Sequence, residues 1–312
     1  MTDQPGLFDQ EKSNKKAQRN LHQEIKPITL ISSFIDTQVI MIGDQGIFRF
    51  LNNYEQHSNY LNLVLSQYQY KDNEVIRNKI KELSIPNSRL TGINNLLKAS
   101  DLISAEDTIT LFGDLVLQND PYLLNTGFLW FLHYYISSNA NVLLWSRLFN
   151  QLLEPGKEVS PKSFIRQFMD VIGGMKEKTF IWNGSKEIGA ILRTYSEGLF
   201  KSLRIMIHSE DVHIFIQDDF YIPDLILLAC ILIYRDRYFP GVASLESEKI
   251  IFGDYSPGRI LRKNETQIRR ALDQLHNKGL ITVETRLGLD QIRFKNNLSW
   301  LDAINLYFKD GE

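Results

Sequence analysis

The sequence predicts a mainly α protein with small β elements, an α+β fold whose helical core carries two winged-helix-like modules. Three observations lead there. Long stretches in the middle of the chain are apolar with helical periodicity, and β-prone pieces are short and bounded by turn residues. Helix, turn, helix and hairpin patterns also recur in that order, at roughly 70 to 120 and again at 223 to 297. The expected organisation is a disordered tail over 1–25 and an N-terminal segment over 26–120 that holds the first module. A helical middle with a short strand pair follows over 121–222, and the C-terminal winged-helix module covers 223–312.

The chain has 312 residues, 43% of them hydrophobic, enough for ordinary cores. Its formal net charge of -2 excludes binding to polyanions by bulk charge, so a nucleic-acid surface has to be local. The single cysteine, Cys230, cannot form an internal disulfide and sits in the apolar run DLILLACILIYRD, where a small buried thiol fits. That run and FLWFLHYYI are both far short of the ~20 residues a membrane helix needs. The polar start, MTDQPGLFDQEKSNKKAQRNLHQE, has no apolar signal core, which predicts a cytoplasmic protein.

After the tail, PITLISSFIDTQVIMIGDQGIFRFLNN is β-prone and punctuated by Gly43 and Gly46, predicting short strands or turns. NEVIRNKIKEL and SRLTGINNLLKAS read as two helices around the break SIPN, the second capped by Asn87 or Ser88 and presenting Leu90, Ile93 and Leu97 on one face. DLISAEDTITLF adds two β-prone pieces around Ala105 to Asp107, completing a first module in which Arg89, Asn94, Asn95 and Lys98 are candidates to face nucleic acid. From Pro121 to about Leu153 the chain is helical and apolar all round, which predicts a buried hub. PKSFIRQFMDVIGGM predicts a helix stopped by Gly173 and Gly174, and a further helix is expected from about Ser185 to Tyr195. Ile205, Ile207, Val212, Ile214 and Ile216 alternate with polar residues, the period of a half-buried strand pair turning near Ser209 to Asp211. Pro223 then opens the helix that contains Cys230.

The C-terminal module carries the clearest candidate site. Asn264 and Gln267 form a capping-box pattern for a helix from Glu265 to about Asn277. Ile268, Ala271, Leu272 and Leu275 mark its buried face, leaving Thr266, Arg269, Arg270, Gln274 and Asn277 outward. Such donor-rich side chains reach phosphates and base edges when a helix lies in a major groove. Lys278-Gly279 ends the helix, and ITVETR with DQIRF form a wing decorated by Arg286, Arg293 and Lys295. Arg259, Arg262 and Lys263 extend the basic patch ahead of the helix. From Ser256 to Lys295 there are nine Lys or Arg against four Asp or Glu, so the basic character is concentrated where this module lies.

No catalytic machinery can be read from the residues. HExxH, GxxxxGK[ST], GxSxG and GxGxxG are all absent. HSEDVHIFIQDD places His208, Glu210, Asp211, His213, Asp218 and Asp219 close together, and a polar turn at a strand end accounts for it better than a metal site. His133 lies in an aromatic helix and reads as a satisfied core histidine.

The segment GDLVLQNDPYLLNTGFLWFLHYYISSNANVLLWSRLFNQL resembles the bacterial family known as domain of unknown function DUF4007. The resemblance rests on Asp120-Pro121-Tyr122-Leu123, Leu129-Trp130-Phe131-Leu132-His133, Ser138-Asn139, Trp145 and Phe149-Asn150. Leu192-Arg193-Thr194-Tyr195 and Ser256-Pro257-Gly258-Arg259 extend it from about Leu83 to Leu275. Two departures stand out: a Gly-His-Glu-Thr-Phe-like run in relatives is reduced here to Gly43-Asp44-Gln45-Gly46-Ile47, and an Asp of relatives is Glu187. The resemblance implies a component of a DNA phosphorothioation and phage-defence system, working with a cysteine desulfurase, a sulfurtransferase of the ATP-pyrophosphatase type and an ATPase. In the single-stranded form of that modification it implies the subunit that nicks DNA. The residues identify no cofactor, and a nickase would bring in a divalent metal ion. The competing expectations are a non-catalytic winged-helix transcriptional regulator and a protein-docking adaptor, and a homodimer is compatible with each.

Overall fold

The structure is a computed structural model and describes residues 57–69, 74–82, 84, 87–171, 176–209, 212–216, 220–286, 290–295 and 298–310. The expected tail over 1–25, the β-prone segment around Gly43 and Gly46, and the glycines at 173 and 174 lie outside the described residues.

Helices α1 (His57–Gln69), α2 (Glu74–Glu82) and α3 (Asn87–Ala99) open the described chain. On α3, Ile93 and Leu97 are buried as their spacing requires, with Leu90 packed against the same core. The hairpin expected next is reduced to one bridge, Ile103 to Ile109, so the first module has no wing. The reason is local. Asp101 and Asp107 both take positive φ, the Ser104 and Thr108 hydroxyls bond at 2.8 Å, and Thr110 already caps α4 (Leu111–Asn119) through Gly113 N. Lys98, expected on a nucleic-acid face, instead ties down this turn by an ion pair to Asp107 at 2.8 Å. Asn94 and Asn95 are half-buried, and the Arg89 side chain is outside the described residues.

The hub is confirmed, though broken into pieces. Helix α5 (Thr126–Ser137), capped by Asn125, is buried from Gly127 to Ser137. The chain then leaves the helix at Ser138–Val142, where the Asn139 side chain accepts a bond from Asn141 N at 3.0 Å, and resumes as α6 (Leu143–Arg147) with a π-helical turn over Leu148–Leu152. Strand β1 (Glu158–Val159), helix α7 (Pro161–Ile165) and a 3₁₀ turn (Arg166–Val171) lead to helix α8 (Glu177–Ser196). This helix starts well before the expected Ser185. Gly184 lies within it and is there because Ile165 packs on it: a Cβ at that position would lie 2.1 Å from the Ile165 side chain.

Strands β2 (Met206–Ser209) and β3 (Val212–Phe215) pair as expected, with β1 added in the order β1-β3-β2. Ile205, just ahead of β2, is buried as expected, but within the strands the buried face is the opposite one. Met206, His213 and Phe215 point inward while Ile207 is 50% exposed, because Phe215 is gripped by Phe149 on one side and by Arg262 on the other.

Helix α9 (Asp224–Tyr238), buried from Leu225 to Tyr234, organises the C-terminal part. It packs on α5, on α12 (Glu265–Asn277) and on the last helix α13 (Trp300–Asp310). Between them come β4 (Ser244–Glu246), α10 (Ser247–Phe252) and α11 (Pro257–Ile260). Strands β5 (Ile281–Glu284) and β6 (Gln291–Phe294) complete an antiparallel sheet in the order β4-β6-β5. Cys230 is buried, and burial pushes its thiol pKa well up, which makes it an inert packing residue.

Candidate nucleic-acid interface

Helix α12 forms as its sequence dictates. Asn264 Oδ1 accepts from Gln267 N at 2.9 Å and Gln267 Oε1 accepts from Asn264 N at 2.9 Å, closing the capping box. Ile268, Leu272 and Leu275 are buried, and Gly279 at φ +68 makes the left-handed turn into β5. Thr266, Arg270, Gln274 and Asn277 are solvent-facing at spacings of four, four and three residues, a continuous stripe opposite the buried face. Arg270 has no ion pair among the described residues, and Arg286 is exposed just before the hairpin tip.

The other candidates are engaged by the protein itself. Arg259 pairs with Asp254 and Lys278 with Asp224 at 3.2 Å. Arg293 forks onto Glu284 at 2.9 and 3.3 Å, holding that carboxyl below its usual range mainly through the hydrogen bond. Arg269 bridges Glu265 at 2.8 Å and Asp290 at 2.7 Å, tying α12 to the start of β6. Both hydrogen bonds raise the Arg269 pKa, and the bond to Arg269 is the first cause of the lowered Asp290 pKa.

Arg262 and Lys263 depart furthest from the expected solvent-facing patch. Arg262 donates to the carbonyls of Phe149 and Leu153 at 2.9 and 2.8 Å and lies 5.2 Å over the Phe215 ring; burial lowers its pKa to about 10. Lys263 donates to the Phe220 carbonyl. Arg262, at a positive φ, thereby joins the C-terminal part to the hub, and Lys263 ties it to the segment just ahead of α9.

The residues that carried the family resemblance also act inside the fold. Tyr195 Oη receives Trp145 Nε1 at 2.8 Å and lies 2.6 Å from His133 Nδ1, while Ser137 approaches the same nitrogen at 3.2 Å. Burial lowers the His133 pKa to about 3, so the ring is neutral. The Asp120 carboxylate accepts from Leu124 N and Asn125 N at 2.9 and 3.0 Å, and Asn150 accepts from Tyr255 N at 2.8 Å. His133, Ser137 and Tyr195 are fully buried, so their hydroxyl–imidazole contacts form a structural polar network closed to solvent.

At the strand pair, His208 and His213 stack at 4.4 Å and His208 meets Glu197 at 2.9 Å. Glu210, Asp211, Asp218 and Asp219 lie outside the described residues. Among the described residues no group of three or more His, Cys, Asp or Glu is placed to hold a metal ion. One exposed feature escaped the sequence reading. On α8, Trp182 is 56% exposed with Lys186 Nζ 3.3 Å from its ring centre, and the signal was the four-residue spacing of Lys178, Trp182 and Lys186.

An α+β fold of helical hub and helix–helix–hairpin end, without a metal cluster among its described residues, defines a helical scaffold carrying a candidate binding surface. The chain belongs to the family described as "Protein of unknown function (DUF4007)", whose model matches residues 90–308. Its fold is similar to a magnesium-ion-bound SspB crystal structure, with 16% identity, TM-score 0.66 and coverage of 83% of this chain and 88% of that one. A second SspB crystal structure is 14% identical with TM-score 0.61, covering 86% of this chain and 91% of that one. Among curated proteins no sequence matches this chain. No helix among the described residues is long and apolar enough to cross a membrane.

Proposed function

We propose that this protein is the DNA-binding component of a bacterial DNA phosphorothioation and defence system, with the region from α9 to β6 acting as a winged helix. The carrying observation is the outward stripe Thr266, Arg270, Gln274 and Asn277 on a helix followed by a two-stranded hairpin. The order helix, strand, helices, hairpin, with β6 between β4 and β5, supports that reading. Membership of the family and the likeness to SspB support the system, in which a cysteine desulfurase, a sulfurtransferase and an ATPase are the proposed partners. On this reading Arg270 and Arg286 contact phosphate and Gln274 and Asn277 reach base edges.

A nicking activity is the finer reading, and a divalent metal is its natural requirement. A supercoiled plasmid incubated with the protein and Mg²⁺ or Mn²⁺ tests it: accumulating open circles support a nickase, and an unchanged supercoiled band removes it. The binding half is tested by fluorescence anisotropy on labelled duplex DNA. Arg270→Ala with Gln274→Ala should weaken binding roughly tenfold and make its salt dependence shallower by about 0.9 in log–log slope, the value of one lost phosphate contact. A second reading, a protein-docking adaptor, is favoured by the internal pairing of Arg259, Arg269, Lys278 and Arg293. Unchanged duplex affinity in the double variant at low salt would favour that adaptor.

A further inference from the structure

We infer that the exposed face of α8 is a second nucleic-acid surface, one that takes a single strand rather than a duplex. The inference rests on the DNA-handling reading above and adds a substrate form and a site to it. Helix α8 buries Phe180, Gly184, Ile188, Ile191 and Tyr195 along one side. Opposite them, the exposed Lys178, Trp182 and Lys186 follow at spacings of four residues, and beyond the buried Gly189 the half-buried Arg193 continues the same line, a row about 22 Å long.

The row has an indole flanked by cations and no carboxylate within it. Lys178, Lys186 and Arg193 have no ion pair among the described residues. Glu177 is turned well over 90° from Trp182 around the helix at 100° per residue, Glu187 is buried, and Glu197 beyond the end of the row is held by His208. Gly189 leaves room for the Arg193 guanidinium to lie back along the helix: a Cβ there would sit 3.5 Å from Arg193 Nη1.

Trp182 remains 56% exposed even with Lys186 over its ring, whereas Trp130 and Trp145 are 2% and 0% exposed. The cation holds the indole in one orientation, and the exposed remainder of the ring is a flat apolar surface framed by positive charge. An indole on a convex helix cannot stack on bases that are already stacked within a duplex. A splayed single strand supplies free base faces for stacking and phosphates for the exposed Lys178 and Lys186. Charge complementarity and the aromatic platform together commit the surface to a single-stranded polynucleotide.

The test uses the full chain and its intrinsic fluorescence. Adding oligo-dT should quench the exposed Trp182, and Trp182→Phe should abolish most of that quenching while keeping the anisotropy-measured affinity within about threefold, since a phenyl ring still stacks. Trp182→Ala should weaken oligo-dT binding roughly tenfold with duplex affinity unchanged. Lys178→Gln with Lys186→Gln, which leaves the indole in place, should weaken it similarly and flatten its salt dependence. Oligo-rU in parallel identifies whether the strand is DNA or RNA, and tighter binding of either supports the surface. Unchanged oligo-dT affinity in both Trp182→Ala and the lysine pair overturns it, as does polyglutamate quenching the fluorescence as strongly as oligo-dT, which would mark an acidic protein partner. Because Arg270→Ala with Gln274→Ala is read on duplex DNA, failure there removes the α12 interface and leaves the α8 result standing on its own.

Discussion

Helix α12 and helix α8 both display cations, and they use them differently. On and around α12 most of the charge is consumed within the fold: Arg262 and Lys263 bond buried carbonyls, and Arg259, Arg269, Lys278 and Arg293 pair with carboxylates. On α8, Lys178, Lys186 and Arg193 meet no carboxylate among the described residues, and a tryptophan stands exposed between the two lysines. A count of basic residues along the chain pointed at the first region. The contacts show that local excess of Lys and Arg measures available charge poorly, because an arginine fork binds a protein carbonyl or carboxylate as readily as a phosphate.

The largest expected effect comes from neither face and sets the baseline for both. His133 has a folded pKa of about 3, lowered by burial, against about 6.5 unfolded. Its contribution is therefore complete above pH ~6.5 and is lost as pH falls toward 3, by about 1.4 kcal/mol per pH unit. Urea unfolding from pH 7 to 4 should show that slope, and His133→Gln should flatten it. A slope untouched by His133→Gln would show that the ring protonates freely in the native protein.

Next is Arg262→Ala, which should destabilise the protein by about 3 kcal/mol, since two buried carbonyls lose a charged donor. Thermal or urea unfolding measures this, and a change below ~1 kcal/mol would return Arg262 to the surface class with Arg270. Of intermediate size is Arg269→Ala, with an expected loss of about 1 kcal/mol or less because the ion pairs are partly exposed. The folded Asp290 pKa is depressed, so its contribution is present above the usual aspartate pKa of ~3.9 and disappears as pH falls below it. The gap between wild type and Arg269→Ala should accordingly narrow progressively as pH falls below ~3.9 in acid unfolding. The smallest effect on stability is expected for Arg270→Ala, within about 0.5 kcal/mol of wild type in the same unfolding assay. That separation of a stability residue from its exposed neighbour is the sharpest form of the comparison between paired and unpaired cations.

Much of the fold was legible because it is written locally. The capping box at Asn264 and Gln267, the apolar spacing of Ile268, Leu272 and Leu275, and Pro223 ahead of the buried helix all appear where the sequence predicts them. What failed to read were features set by a distant partner. Helix α8 starts well ahead of the expected Ser185, with Ile165 packed on Gly184, and the isoleucines of β2 and β3 looked like the core face until Phe149 and Arg262 claimed Phe215. The Lys178–Trp182–Lys186 row was visible as spacing, but its exposure was not, since tryptophan in an apolar-looking helix is expected inside.

The sequence by itself determined the α+β class, the helical hub and the capped helix α12 with its hairpin. These depend on periodicity, capping and turn chemistry, which act over a few residues. Tertiary structure alone decided which cations are free. Whether a guanidinium reaches solvent or a carbonyl more than a hundred residues away, as Arg262 reaches Phe149, depends on packing between elements that no local pattern encodes.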